Sequence, residues 1–412
     1  MPTMFSQQWY SVLGHQGQVY VTHKSGQLPE IGEGQARIRM VSASICGADR
    51  RIVSGDKDAH GQNQSVVLGH EGCGVIDELV YPSSDHRVGD FTVVLPHIHV
   101  SPERAKGCTR NTQSILASCT SRKHTDHAGW DYDGVFTDRG VFPTANLVVV
   151  SPEQIRRAEQ LAPDLGRALF TVTEPMLCCI SAYELMDREG RELLDRDLTP
   201  GRALVIGCGP IGIMHGIILS ERGYDVWFSD PEPSRARLAQ FCLGGGQVLD
   251  TTRNPGGFDV VIVTANVLDA IRQGEACVKD GGILYLFAGM NSSDREAGHP
   301  EGVISYEVVH RAAHGLLTMT MGKRVLYLGH SGYYAYLAPK AIATVSANAA
   351  RLSRVVTGVI QGWPSPIVKA RVDGVADWQT PDGSPAIIPV LRGTADLRQH
   401  GKLVVLADQH TS

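Results

Sequence analysis

The stretch Ala203-Leu204-Val205-Ile206-Gly207-Cys208-Gly209-Pro210-Ile211-Gly212 narrows the possible folds more than any other part of the chain. An apolar strand runs straight into a G-x-G-x-x-G turn and then into a helical continuation, MHGIILSERG. In that setting Gly207 permits the tight turn, Gly209 lets the main chain approach a pyrophosphate, and Gly212 lets helix and strand pack closely. Pro210 and Ile211 open the helix, whose N-terminal amides face the phosphates. Asp230 closes the next apolar strand, YDVWFSD, where an acid accepts hydrogen bonds from the adenosine ribose hydroxyls. Its carboxylate repels a 2′-phosphate, so NAD is expected; Arg235 and Arg237 on the following helix are what speaks for NADP. Taken alone, the glycine motif is equally compatible with another nucleotide- or methyl-donor-binding α/β fold.

The surroundings favour the dinucleotide reading. From Arg202 onward, RALVIG, YDVWFSD, FDVVIVTA and GGILYLFAG alternate with helical stretches, which implies a parallel sheet in an α/β domain. The first 160 or so residues are different: short apolar runs such as QARIRMVSA and FTVVLP, broken by Gly and Pro, predict a β-rich domain. After Ala338 the pattern turns mixed again and ends on an apolar KLVVLAD. The simplest plan inserts residues 166–335 as the dinucleotide domain between 1–165 and 336–412, with the last part returning to the first. A chain of 412 residues is long enough for two cores. The net charge of -5 comes without a basic stripe, which excludes nucleic acid as a partner, and no apolar window reaches membrane-spanning length. Nine cysteines, an odd number, fit reduced thiols and a cytoplasmic location better than a disulfide framework.

Two turns carry metal-ligand residue types. Ser44-Ile45-Cys46-Gly47-Ala48-Asp49 offers Cys46, and Leu68-Gly69-His70-Glu71-Gly72 offers His70 and Glu71. Catalytic zinc takes three such donors and keeps a position for an exchangeable ligand. Glu174, in Thr173-Glu174-Pro175, is a further candidate. Each is compatible with an ordinary role alone, Cys46 as a core thiol and His70-Glu71 as a surface pair. Their order ahead of a dinucleotide fingerprint is what points to a metal.

Together ASICGADRR, VVLGHEGCGVI, the RVGDFTVVLP strand, WDYDGVFTDRGVFPTANLVVVSP, the TEP turn, GCGPIG and SDPEPSRARLA resemble the zinc-dependent medium-chain dehydrogenase/reductase family, on its sorbitol/polyol dehydrogenase side. The resemblance implies an α/β fold with a GroES-like catalytic domain, built from both chain ends, around an inserted Rossmann domain. It implies one catalytic zinc on Cys46, His70 and Glu71, with Glu174 beside the metal. The implied activity passes hydride between NAD and a secondary hydroxyl of a polyol, cyclitol or sugar, possible phosphorylation included, and the family habit is a homodimer or homotetramer.

The chain departs from that pattern at several points. Ala48 stands where relatives carry the relay hydroxyl, so the proton is expected to leave through Glu71 or Glu174. Instead of four closely spaced cysteines for a structural zinc, the corresponding stretch offers Cys108, Cys119, His124 and His127, and a loop lining the substrate cleft is expected there. Arg50 and Arg51 follow the first motif, and Lys323-Arg324 lie near the end of the inserted domain; such cations either grip phosphate or carboxylate or form a solvated face. The stretch Glu301 to Tyr336, with His310, His314, His330, Tyr333 and Tyr334, lines a cleft or packs a core. The rival functions are a zinc-free NADPH quinone or enoyl reductase and a non-catalytic dinucleotide-binding protein.

Overall fold

The structure, a computed structural model, describes residues 6–15, 18–28, 30–54, 66–80, 85–98, 126–130, 132–195, 197–249, 256–290, 294, 305–373, 375–392, 394–395 and 401–407. Two compact units emerge. One runs to Glu174 and resumes at Ala338; the other occupies Pro175–Leu337.

Within the described residues the first unit is built on a nine-stranded sheet. Strand Gln35–Ser44 lies at its centre, antiparallel to Glu71–Leu79 on one side and to Lys402–Leu406 on the other. Residues 36, 38 and 40 of that strand are buried while 35, 37 and 39 are partly exposed, as the two-residue period of a strand packed on one face requires. Ile38, Met40, Phe136, Phe142, Trp363 and Leu403 belong to the core beneath. The Lys402–Leu406 strand is parallel to Val356–Gln361, so the late part of the chain is joined edge to edge with the early part. Helix Pro152–Leu161 starts as its sequence says it should: the Ser151 hydroxyl accepts from the Gln154 amide, and the Gln154 side chain accepts from the Ser151 amide.

The turn of 3-10 helix Gly166–Val172 stays with this unit. Ser42 donates its hydroxyl to the Ala168 carbonyl (2.7 Å), and Thr171 donates to the Glu71 carbonyl (3.0 Å). Those two bonds hold the approach to Glu174 against the sheet.

The second unit carries a seven-stranded sheet in the order Gln247–Val248, Asp225–Ser229, Arg202–Ile206, Phe258–Val263, Val278–Leu286, Lys323–Gly329, Leu316–Thr320. All neighbours are parallel except the last pair, a hairpin. Apart from Arg202 and Asp259, its two central strands are apolar, the mark of strands covered on both faces. The chain therefore has a β-rich unit and a parallel-sheet Rossmann-like unit. Lys323 proves structural: its ammonium donates to the carbonyls of Glu275, Ala276 and Val278 at 2.8–3.0 Å, where helix Leu268–Cys277 ends. A cation at a helix C-terminus meets both the orphan carbonyls and the dipole. His330, Tyr333 and Tyr334 are buried, and His310 contacts the Leu286 carbonyl at 3.1 Å, so most of the His/Tyr stretch is packing. Among the described residues Cys46, Cys73, Cys178, Cys179, Cys208, Cys242 and Cys277 are free thiols, and no helix is long and apolar enough to cross a membrane.

Two histidines are sealed inside this second unit. His215 on helix Pro210–Glu221 pairs through Nδ1 with the Tyr183 hydroxyl (3.0 Å), and His330 through Nδ1 with the Tyr285 hydroxyl (2.5 Å). Phe287 packs edge-on against both rings. Burial disfavours the imidazolium and pulls each down to about 3, with His330 adding to the effect on His215 and His310 to that on His330. The unfolded chain takes up these protons near pH 6.5 and the folded one does not, so stability is unaffected above that pH and falls progressively below it. At pH 5 each histidine costs about 2 kcal/mol. Thermal unfolding followed from pH 7 to pH 5 should show a steep loss of Tm, and His215→Gln, which has no proton to take up, should show a shallower one; equal slopes would refute the assignment.

Candidate functional site

The metal motif is placed by backbone constraint. Gly69 adopts φ 89°, in the left-handed region, and a Cβ there would come within 2.3 Å of the Phe136 ring. Only glycine tolerates both conditions. Across from it, the amides of Gly134, Val135 and Phe136 donate to the carbonyls of Val67, Gly69 and Leu68. The chain leaves this clamp at His70 and enters strand Glu71–Leu79. Ser44, at the end of the central strand, pairs with Glu71 on one side and Val404 on the other. Cross-strand partners share a face, and so do residues two apart, which brings Ser44, Glu71 and Lys402 together. Cys46 follows two residues later, immediately ahead of helix Gly47–Val53.

These elements gather one donor atom each from Cys46, His70 and Glu71 within 4.8 Å of one another. Both Glu71 and His70 are buried, and Cys46 is half-buried. Asp49, fully buried, faces His70 Nδ1 with Oδ1 at 3.1 Å and accepts from the Cys46 amide with Oδ2 at 2.9 Å. That contact sets a carboxylate beside the imidazole, as in the carboxylate-histidine pairs of metal sites. Glu71 Oε2 is held by the Lys402 ammonium at 2.5 Å and by the Ser44 hydroxyl, while buried Oε1 has no hydrogen-bond partner.

The site is electrostatically negative. Burial opposes the charged form of His70, yet Asp49 and Cys46 outweigh it and hold the imidazole well above its usual range. Lys402 is likewise raised, burial being overcome by Glu71, Cys46 and Asp49. With the Cys46 thiol deprotonated, as metal binding requires, three acids against one lysine leave two negative charges, which a divalent cation balances. Cysteine, imidazole and carboxylate within reach of one point, with an orphaned oxygen among them, fit zinc.

The dinucleotide turn has the geometry its three glycines predict. Gly207 adopts φ 96°, and a Cβ there would meet Thr264 Oγ1 at 2.7 Å. A Cβ at Gly212 would strike the Gly207 carbonyl oxygen at 1.9 Å, whereas one at Gly209 would meet nothing within 4 Å, leaving the main chain open to a ligand. Helix Pro210–Glu221 begins directly after Gly209, with Pro210 and Ile211 in its first turn. The Asp230 carboxylate closes over the turn, accepting from the amides of Cys208 (2.7 Å) and Glu232 (2.9 Å). Arg235 and Arg237 are exposed on the next helix.

Glu174 is buried in the first turn of helix Thr173–Leu194, outside the three-donor group. Arg50 is exposed and Arg51 half-buried on helix Gly47–Val53. Cys108, Cys119 and His124 lie outside the described residues, and His127 sits on a short strand facing His97. The sequence reading missed Asp49, Ser44 and Lys402. Asp49, three residues after Cys46, could have been found as a carboxylate placed to orient a ligand; Lys402 had no local signal.

The alcohol dehydrogenase GroES-like domain matches residues 32–152. An L-threonine 3-dehydrogenase of Symbiobacterium thermophilum is 25% identical over 272 residues, 63% of this chain and 69% of that protein. A glucose 1-dehydrogenase of Thermoproteus tenax is 26% identical over 265 residues, 63% and 69% respectively. In fold, the chain is similar to the Haloferax mediterranei glucose dehydrogenase solved in complex with NADP, Zn and gluconolactone, with a TM-score of 0.67 and 16% identity over 98% of this chain and 99% of that one. Residues 32–152 thus carry the alcohol dehydrogenase GroES-like domain, and the likeness to threonine and glucose dehydrogenases supports a place in the zinc-dependent medium-chain dehydrogenase/reductase family.

Proposed function

We propose that the protein passes hydride between NAD and a secondary hydroxyl of a polyol, cyclitol or sugar, with zinc held by Cys46, His70 and Glu71 and with Glu174 as a neighbouring carboxylate. The observation that carries this reading is the gathering of those three donors within 4.8 Å of one another, with Glu71 Oε1 buried and without a hydrogen-bond partner. A zinc-free reductase has no use for such a set.

When bound, zinc supplies Lewis acidity to a substrate hydroxyl or carbonyl, and the nicotinamide supplies the hydride acceptor or donor. The chain's own residues do the rest. Asp49 sets a carboxylate beside the ring of His70. Lys402 and Ser44 hold Glu71 Oε2 and leave Oε1 without a hydrogen-bond partner. Gly207, Gly209 and Gly212 admit the pyrophosphate to the start of helix Pro210–Glu221. Asp230 receives the adenosine ribose, and its charge disfavours a 2′-phosphate; Arg235 and Arg237 pull the other way, and Asp230 stands nearer the turn through its bond to Cys208. Since Ala48 has no hydroxyl, the proton released on oxidation is assigned to the Glu71 or Glu174 carboxylate.

Elemental mass spectrometry of the purified protein should find about one zinc per chain, and Cys46→Ala should lose both the metal and NAD-linked oxidation of polyols. Asp49→Ala should keep the ligands but weaken metal affinity by about 10–100-fold. A metal-replete preparation with intact nucleotide binding and no zinc sinks the mechanism. For the cofactor, kcat/KM should favour NAD, and Asp230→Ala should move the NAD-to-NADP ratio toward NADP by about tenfold, equivalent to about 1.4 kcal/mol. An unchanged ratio in the variant removes Asp230 as the discriminator.

A further inference from the structure

The metal motif has a counter-ion of its own, brought from the far end of the chain. Lys402 is buried, and its ammonium lies 2.5 Å from Glu71 Oε2, which also accepts from the Ser44 hydroxyl. The other buried acid, Asp49, faces His70 Nδ1 and accepts from the Cys46 amide. Each carboxylate therefore has a partner that the chain itself supplies. This matters because a buried charge without a partner is expensive, and deleting one member of a buried ion pair is strongly destabilising.

The backbone is shaped to deliver that ammonium. Strand Lys402–Leu406 runs parallel to Val356–Gln361 with Lys402 opposite Val356 and Leu403 opposite Gly358, so Thr357 is an extra residue in the ladder. Such a bulge re-aims the side chains beside it. The Gly401 amide donates to Thr357 Oγ1 (2.5 Å), and a Cβ on Gly401 would come within 2.9 Å of the Val355 carbonyl oxygen. Both contacts fix where the strand begins, one residue before Lys402.

We propose that Lys402 is a built-in substitute for the metal: it neutralises Glu71 while the site is empty, so the first unit folds without zinc and the ion enters a site already shaped. The inference rests on the zinc reading above. The charge that stabilises the empty site also opposes the ion, because a fixed ammonium repels a divalent cation and shares the ligand carboxylate with it. Lys402 thus lowers zinc affinity and frees folding from the metal. Small structural zinc domains behave in the opposite way and stay unfolded until the metal arrives.

The test compares the full chain, metal-free and zinc-loaded, as wild type, Lys402→Arg, Lys402→Gln and, metal-free only, the double variant Glu71→Gln/Lys402→Gln. Thermal unfolding gives Tm, and titration against a competing chelator gives the zinc Kd. Wild type and Lys402→Arg should unfold cooperatively without metal at similar Tm. Lys402→Gln keeps a hydrogen-bond donor and loses only the charge; its metal-free Tm should fall by about 5 °C or more, and its zinc-loaded Tm by less. Its zinc Kd should drop about tenfold, since tighter binding and a fold more dependent on zinc are one linked effect. The double variant should recover most of the metal-free Tm, no buried charge being left alone. Equal losses with and without zinc, or weaker zinc binding in Lys402→Gln, would mean that Lys402 only props Glu71 in place and would overturn the proposal. A Lys402→Gln chain that folds in neither form, or a double variant no more stable than the single one, overturns it as well. Each of these results, with about one zinc bound per wild-type chain, leaves the zinc reading standing; a wild type that takes up no zinc from a metal-replete solution overturns that reading and the proposal with it.

Discussion

The pairing of Lys402 with Glu71 is the contact on which the first unit turns. A lysine and a glutamate, both buried, are tolerable inside a protein only where geometry is good and the remaining lone pairs are satisfied. Ser44 supplies the second hydrogen bond to the same oxygen, from the strand that separates the two. The ammonium and the hydroxyl thus engage one carboxylate oxygen and leave the other without a hydrogen-bond partner. The pair is also why the late chain must come back: strand Lys402–Leu406 is wedged between the early central strand and Val356–Gln361, and no position at the sheet's edge would reach Glu71.

Much of this was legible in the sequence, for reasons that differ by region. The dinucleotide turn is a local code. Each of Gly207, Gly209 and Gly212 answers a steric demand made by residues nearby, so strand, turn and helix could be read in order and the structure adds distances to an argument already complete. The candidate metal donors stood out because cysteine, histidine and glutamate at turns are chemically conspicuous. What holds them is not. Lys402 stands in an apolar strand 331 residues beyond Glu71, and a single lysine there reads as an ordinary solvent-facing position. Its role follows from register alone, which no local pattern carries.

Lys323 and His127 have surroundings that spacing along the chain does not give. A pair of cations at the end of a domain suggests an anion, yet Lys323 is spent on three carbonyls of its own chain. His127 stands among four loosely spaced candidate ligands, in a stretch expected to be a loop lining the substrate cleft. Spacing along the chain pointed away from the motif, whereas pairing with the His97–Ile98 strand carries the ring toward His70. Gly129 and Gly134, which look like loop punctuation, are instead the positions where one backbone lies directly on another.

The interrupted first unit has a consequence for how the protein is made. Pro175–Leu337 is one continuous segment whose parallel sheet can close as soon as it leaves the ribosome, whereas the first sheet waits for residues 402–406 to fill its interior. Domains fold in the order in which their parts are synthesised, and contacts far apart along the chain form slowly. Cys46, His70 and Glu71 are thus translated early but set in place late, when Lys402 arrives to hold the carboxylate. During that interval the strands that carry them lack the neighbour that completes the sheet, so the last residues of the chain set the time at which the site takes its shape.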